Sequence, residues 1–356
     1  MMNKHSTNKH IHKLLPAAIA MLCTLALIGC GSTDTNITQG MQQIQELDYQ
    51  GALDSFAIAA EQEENGKLLY RGQGIAYMGM TKYEEAIESF LKALEYSDGW
   101  VEEVDYDINL YLAASYMKAG DYAEAEDVYD AILAMRPADE EVLFLRGNVR
   151  MRQGDYTNAK ADFDETVRLN GKNFDRLIEI CEILSNYGYK DAGQGYLTDA
   201  LQTYETQMSQ YDRGRMYFYM GDYQKAYLAL EEAKNQKGVE AYLYLGKAYE
   251  ATGDYNYASS VYNSYLAKNT GNAQIYNQLG ICEMQKGQYA KALDAFQKGL
   301  ETGDKTMQQS LQFNEIVAYE HMGEFKKAAV LMETYLKTYP DDENAQREYE
   351  FLKTRG

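Results

Sequence analysis

Proline is nearly missing from this 356-residue chain, with Pro16, Pro137 and Pro340 the only three. So few φ-locked residues lacking a backbone donor leave little to break a helix. Histidine is almost as scarce. Of four, His5, His10 and His12 crowd the first twelve positions and only His321 follows. A zinc site or a hydrolase triad that leans on histidine therefore has little to work with. The single tryptophan is Trp100, and four cysteines are too few for a disulfide framework. Valine and isoleucine are thin beside Ala, Leu, Tyr, Glu, Gln and Lys, a balance that favours helix over strand. Positive charge is also short: 34 Lys and Arg face 54 Asp and Glu, a net −20. A surface of that sign repels phosphate backbones and argues against nucleic acid as a partner.

The start of the chain reads differently from the rest. Lys4, Lys9 and Lys13 precede an apolar run from Leu14 to Gly29, with no acid before Cys30. The run is short for a membrane span of about 20 residues. It ends in Leu27-Ile28-Gly29-Cys30, which resembles the lipobox of bacterial lipoproteins. That resemblance implies a signal peptide over 1–29 that is cleaved, a lipidated Cys30, and a short tether over 30–36. It places the mature protein on the outer face of a bacterial cytoplasmic membrane, or in a periplasm, held by its acyl chains. An ordinary signal peptide or anchor with a chance cysteine is the alternative. Loss of the three lysines would take the formal charge to −23.

What is abundant is repetition. Gly-Asp-Tyr occurs at Gly120, Gly154, Gly221 and Gly253, each time followed by an alanine three residues after the tyrosine. Aligned on that aromatic, the pattern extends to Tyr49, Tyr83, Tyr122, Tyr156, Tyr189, Tyr223, Tyr255, Tyr289 and Phe325, with spacings of 32 to 39 residues. The alanine is present in all nine copies, from Ala52 to Ala328. A glycine stands nine before the aromatic at Gly74, Gly147, Gly214, Gly246 and Gly280. A large ring stands seven after it in seven, from Phe56 to Phe296. A period near 34 with this signature resembles the tetratricopeptide repeat family. The resemblance implies an all-α, right-handed solenoid of about nine helix-turn-helix repeats over 37–340, with a C-terminal capping helix over 341–356.

The repeated phrase has a physical reading. Glycine closes helix A in the left-handed region, aspartate caps helix B, the aromatic fills the corner, and the small alanine admits close approach. The fifth copy fits least well, with Ile180 in the glycine place and Gly193 and Gly195 diluting helix B. Two insertions, "EYSDGWVEEVDYD" and "ETGDKTMQQS", lengthen the period and predict longer inter-repeat loops.

No motif points to catalysis. Cys181 and Cys282 have no base nearby in sequence, and the carboxylate pairs read as a solvated face. No cofactor or metal is implied, and the chain is expected not to be an enzyme. In the family the chain resembles, ligands lie along the inner faces of the A helices. Five before the aromatic this line reads Met78, Met117, Met151, Leu184, Phe218, Glu250, Met284 and Glu320. Eight before, it reads Ile75, Ala114, Asn148, Cys181, Arg215, Lys247, Ile281 and Val317. Twelve before, it reads Arg71, Leu110, Phe144, Leu177, Tyr211, Leu243, Asn277 and Phe313. Methionine-rich grooves adapt to varied apolar side chains, and Asn148, Arg215, Lys247 and Asn277 would hold a peptide backbone. The opposite reading is that these residues pack between adjacent A helices.

The sequence thus predicts a membrane-anchored scaffold or adaptor of the bacterial cell envelope, binding a protein or peptide partner. The acidic exterior favours a basic one. A peptide- or solute-capturing lipoprotein and a self-associating structural envelope protein stand as alternatives, and the oligomeric state is left open.

Overall fold

In the computed structural model, residues 34–98 and 102–355 are described. They form nineteen α-helices and, among the described residues, no strand. The signal sequence, Cys30 and Trp100 lie outside them. Among the described residues no helix is long and apolar enough to cross a membrane.

The chain divides after Leu169 into two compact units. The first contains four helix pairs: α1 (Thr35–Gln45) with α2 (Tyr49–Glu61), α3 (Gly66–Gly79) with α4 (Tyr83–Leu94), α5 (Glu103–Ala119) with α6 (Tyr122–Met135), and α7 (Glu140–Gln153) with α8 (Tyr156–Leu169). The second contains five: α9 (Phe174–Asn186) with α10 (Lys190–Thr203), α11 (Gln210–Met220) with α12 (Tyr223–Lys237), α13 (Val239–Ala251) with α14 (Tyr255–Leu266), α15 (Ala273–Gln285) with α16 (Tyr289–Glu301), and α17 (Lys305–His321) with α18 (Phe325–Thr338). A last helix, α19 (Glu343–Lys353), packs on α18 and buries Ala345 and Leu352.

The joints are built as their residues dictate. Gly120, Gly154, Gly221 and Gly253 hold φ between 79° and 98°. Asp155, Asp222 and Asp254 accept the N–H of Asn158, Lys225 and Tyr257 at 3.1–3.3 Å, capping the B helices. Asp121 makes no such side-chain bond. The glycine nine before the turn and the ring seven after it prove to be one contact. Phe163 lies on Gly147, where an added Cβ would meet the ring at 2.6 Å. Phe90, Tyr262 and Phe296 pack likewise on Gly74, Gly246 and Gly280. Gly40 plays the same part for Phe56 in the first pair, whereas the place nine before Tyr122 holds Ala113. These rings are almost fully buried, each worth about 1.5–3 kcal/mol of apolar transfer.

Two expectations are corrected. The fifth copy is not diluted but displaced by one residue. Its turn glycine is Gly188, at φ 87°, and its B helix begins at Lys190 rather than Tyr189. Counted from Lys190, Gly193 takes the alanine place, where a Cβ would come within 2.9 Å of the Cys181 carbonyl oxygen. Leu197, fully buried, takes the ring place, while Tyr196 is half-buried. The insertions also do less looping than predicted. Each precedes a 17-residue A helix, α5 or α17, so much of the added length becomes extra helical turn. Asp304 caps the second through the N–H of Thr306 at 2.9 Å.

Candidate functional site: the inner face of the A helices

Successive A helices approach one another: α1 with α3 and α3 with α5 in the first unit, and α9, α11, α13, α15 and α17 in turn in the second. Successive B helices do not come as close among the described residues. The A helices α1, α3 and α5 of the first unit and α9, α11, α13, α15 and α17 of the second therefore form the inner side of their pairs. Residues four apart on a helix share a face, so positions twelve, eight and four before the turn run as a line along each A helix.

The structure divides the residues expected on this face. Ile75, Leu110, Met117, Phe144, Met151 and Tyr211 are buried, and they pack between helices. Arg71, Arg215 and Asn277 are also buried, each tied to a neighbouring A helix. Arg71 Nε donates to Asp107 Oδ2 at 2.5 Å, linking α3 to α5. Arg215 donates to Asp175 Oδ1 on α9 at 2.5 Å and to Asp212 Oδ1 at 2.8 Å. Its guanidinium lies 4.5 Å from the Tyr211 ring centre. Asn314 on α17 donates to Asn277 Oδ1 at 2.8 Å. Met78, Asn148, Phe218, Lys247 and Met284 remain half-buried and reachable from solvent.

In the second unit these side chains gather in two places. Around Tyr244 on α13, the rings of Phe218 and Tyr211 pack at 5.8 and 6.1 Å, and Lys247 Nζ lies 5.7 Å above the ring. Tyr219 approaches with its hydroxyl 3.5 Å from that of Tyr244. Glu182 joins them from α9. Burial pushes its carboxyl upward, while a hydrogen bond with Tyr219 and the charge of Lys247 oppose that shift. Glu250 is raised by burial too, against the hydroxyl of Tyr262, which donates to Glu250 Oε1 at 2.6 Å. Further along, Ile281, Met284 and Gln285 of α15 face Asn314, Val317 and His321 of α17 across a cleft of about 340 Å³, with Phe296 at its floor. His321 stacks on Tyr289 at 4.9 Å.

The sequence pattern missed Glu182, Tyr219 and His321. Glu182 was hidden by the displaced register: counted from Lys190 it, not Cys181, stands eight before the turn. Tyr219 and His321 stand four before it, a step the same helical arithmetic reaches. Cys181 and Cys282 are buried, and burial pushes both thiols up to about 11. Thiols of that kind are almost wholly protonated at neutral pH and poor nucleophiles.

Four segments match tetratricopeptide repeat models: 71–140, 140–173, 240–270 and 273–302. The chain is 21% identical over 259 residues to a TPR repeat-containing protein of Methanocaldococcus jannaschii, covering 68% of this chain and 44% of that protein. It is 28% identical over 112 residues to tetratricopeptide repeat protein 21B of Xenopus laevis, covering 32% and 8%. The chain thus spans less than half the length of these curated relatives. The crystal structure of yeast Tom70 matches with a TM-score of 0.52 at 15% identity, over 90% of this chain and 88% of that one. That likeness is one of fold.

Proposed function

We propose that this chain, built of tetratricopeptide repeats, is a non-catalytic adaptor that holds a segment of another protein along the inner faces of its A helices. We further propose that it works from the outer side of a bacterial membrane, fixed there by lipid on Cys30. The observation that carries the first reading is the set of reachable side chains on the inner line. Met78, Phe218 and Met284 stay accessible although the core behind them is already closed by buried rings. Apolar side chains beside polar groups such as Asn148 and Lys247 suit a peptide, whose backbone needs hydrogen bonds and whose side chains need pockets. The anchor rests on the basic start, the apolar run and Leu27-Ile28-Gly29-Cys30. The acidic exterior would speed encounter with basic partners at low salt. On the outer side, Leu228, Tyr257 and Val330 are exposed, one on each of three B helices. Single exposed apolar residues are ordinary and do not by themselves favour self-association.

The test is in-cell crosslinking and membrane fractionation of the full chain. The expected result is one protein captured from the membrane fraction by the native chain and lost when Met78, Phe218 and Met284 are changed to Glu, with helicity retained. Cys30→Ser should move the chain out of the membrane fraction. Equal capture by the triple variant would place binding elsewhere, and unchanged fractionation of Cys30→Ser would remove the anchor.

A further inference from the structure

We infer that a second cleft, opening between the B helices α14 and α16, binds a sugar unit through a hydroxyl donated to Glu283. Its two walls are B helices, whereas the inner line runs along A helices, so the site stands or falls apart from the function proposed above.

The cleft holds about 380 Å³, and α15 packs against both of its walls. That is the lower end of the range for small-molecule sites, about 300–1,000 Å³. Its polar lining is Asn263 from α14, Tyr276 and Glu283 from α15, and Lys291, Asp294 and Lys298 from α16.

Glu283 is the residue that repeat packing does not call for. Six before the turn aromatic, five other pairs carry tyrosine, at Tyr77, Tyr116, Tyr217, Tyr249 and Tyr319. This pair carries a carboxylate there, only 5% exposed. Its Oε1 accepts from Lys286 Nζ at 2.9 Å, and the same ammonium reaches Ser259 Oγ on α14 at 3.2 Å. Its Oε2 is buried and accepts no hydrogen bond among the described residues. A buried acceptor without a donor weakens the fold that holds it. The departure from tyrosine therefore needs a reason other than packing.

The charges around the cleft narrow the ligand. Lys286 already balances Glu283, and Lys298 pairs with Asp294 at 2.7 Å. Lys291 is exposed and makes no ion pair among the described residues, which leaves one positive charge at the rim. A cationic ligand would meet that charge and find both acids taken. A bare anion would suit Lys291, but it would bring a second negative charge to Oε2 and no donor. A hydroxyl answers both, because it donates to a carboxylate and accepts from an ammonium. Asn263 spends one amide hydrogen on the Ser259 carbonyl at 2.8 Å, and its oxygen can accept from a second hydroxyl. Leu266 and Leu279 add apolar wall, which suits the C–H face of a sugar ring. Peptide side chains suit the other cleft, between α15 and α17, where Ile281, Met284 and Val317 face the space.

The experiment is isothermal calorimetry of the full chain with free neutral hexoses, N-acetylhexosamines and uronic acids, alongside an array of immobilised oligosaccharides built from them. The expected result is binding of at least one of these sugars. Lys291→Ala should weaken it about tenfold or more, the worth of one hydrogen bond to a charged group. Glu283→Tyr, which restores the residue of the other pairs, should abolish binding while the melting temperature stays equal to or above that of the native chain. The variant with Met78, Phe218 and Met284 changed to Glu should bind the sugar as the native chain does. Both forms of ligand support the site: tighter binding of the oligosaccharides makes it a glycan unit, and equal binding a free solute. No binding of any sugar, or binding unchanged in Lys291→Ala and Glu283→Tyr, would overturn the site. Loss of binding in the inner-line variant would move the sugar to the inner face and overturn it too. Should Glu283→Tyr lower the melting temperature, Lys291→Ala on the exposed rim decides alone, and unchanged binding there overturns the site.

Discussion

Phe163 resting on the backbone of Gly147 shows how tightly a single residue is specified in this chain. A methyl group at Gly147 already falls 2.6 Å from the ring, and a larger side chain has nowhere to go. Gly147→Ile should lower stability by about 1–3 kcal/mol or more through overpacking. The ninth pair shows the remedy, because it places buried Ile316 and Met332 at the same two positions. Gly147→Ile with Phe163→Met should therefore recover most of the loss in chemical unfolding followed by circular dichroism. Additive losses would mean the two positions do not share one space. Thr81 is the opposite case, a β-branched residue held at φ 61° where later turns have glycine. The left-handed region costs such a residue about 1–2 kcal/mol, and glycine's extra freedom in the unfolded chain returns part of that. Thr81→Gly should raise stability by about 0.5–1 kcal/mol. A lower unfolding midpoint would show that the threonine side chain does something there that outweighs the strain.

At the level of helices, the pairing of α19 with the ninth repeat carries a pH dependence. Glu320 on α17 is pushed up to about 7, first by burial and then by the charge of Glu348 on α19. A carboxyl whose folded value lies above its unfolded one favours the folded state most when protonated. Its stabilising contribution is present below about pH 4.5 and is lost as pH rises through about 7. Thermal unfolding should therefore show the last repeat less stable at pH 8 than at pH 5, and Glu348→Gln should flatten that difference. An equal slope in the variant would assign it to other groups. The same scale explains the fifth pair. Its B helix starts one residue late, and Gly193 lets α10 approach Cys181 where an alanine would crowd it. Counting from tyrosines could not see this, because Tyr189 keeps the aromatic identity but not the place.

For the molecule as a whole, the helix pairs, their joints and their number are written in local spacing. A glycine that can turn left, an aspartate that can cap and an apolar stripe at helical period each act within a few residues. The roles of Gly120, Asp155 and Ala125 are therefore legible in the amino-acid sequence alone. Only the tertiary structure decided which inner-line residues a partner can reach. Met117 and Met78 occupy the same repeat position, yet Met117 is buried and Met78 is not, because burial is set by what the neighbouring helix brings against each. The same holds for charge. Arg71 and Arg215 proved to be ties between helices, while Arg152, four before its turn, makes no ion pair among the described residues. Helix formation depends on neighbours along the chain, but satisfaction of a buried or charged group depends on neighbours in space, and no repeat period states those.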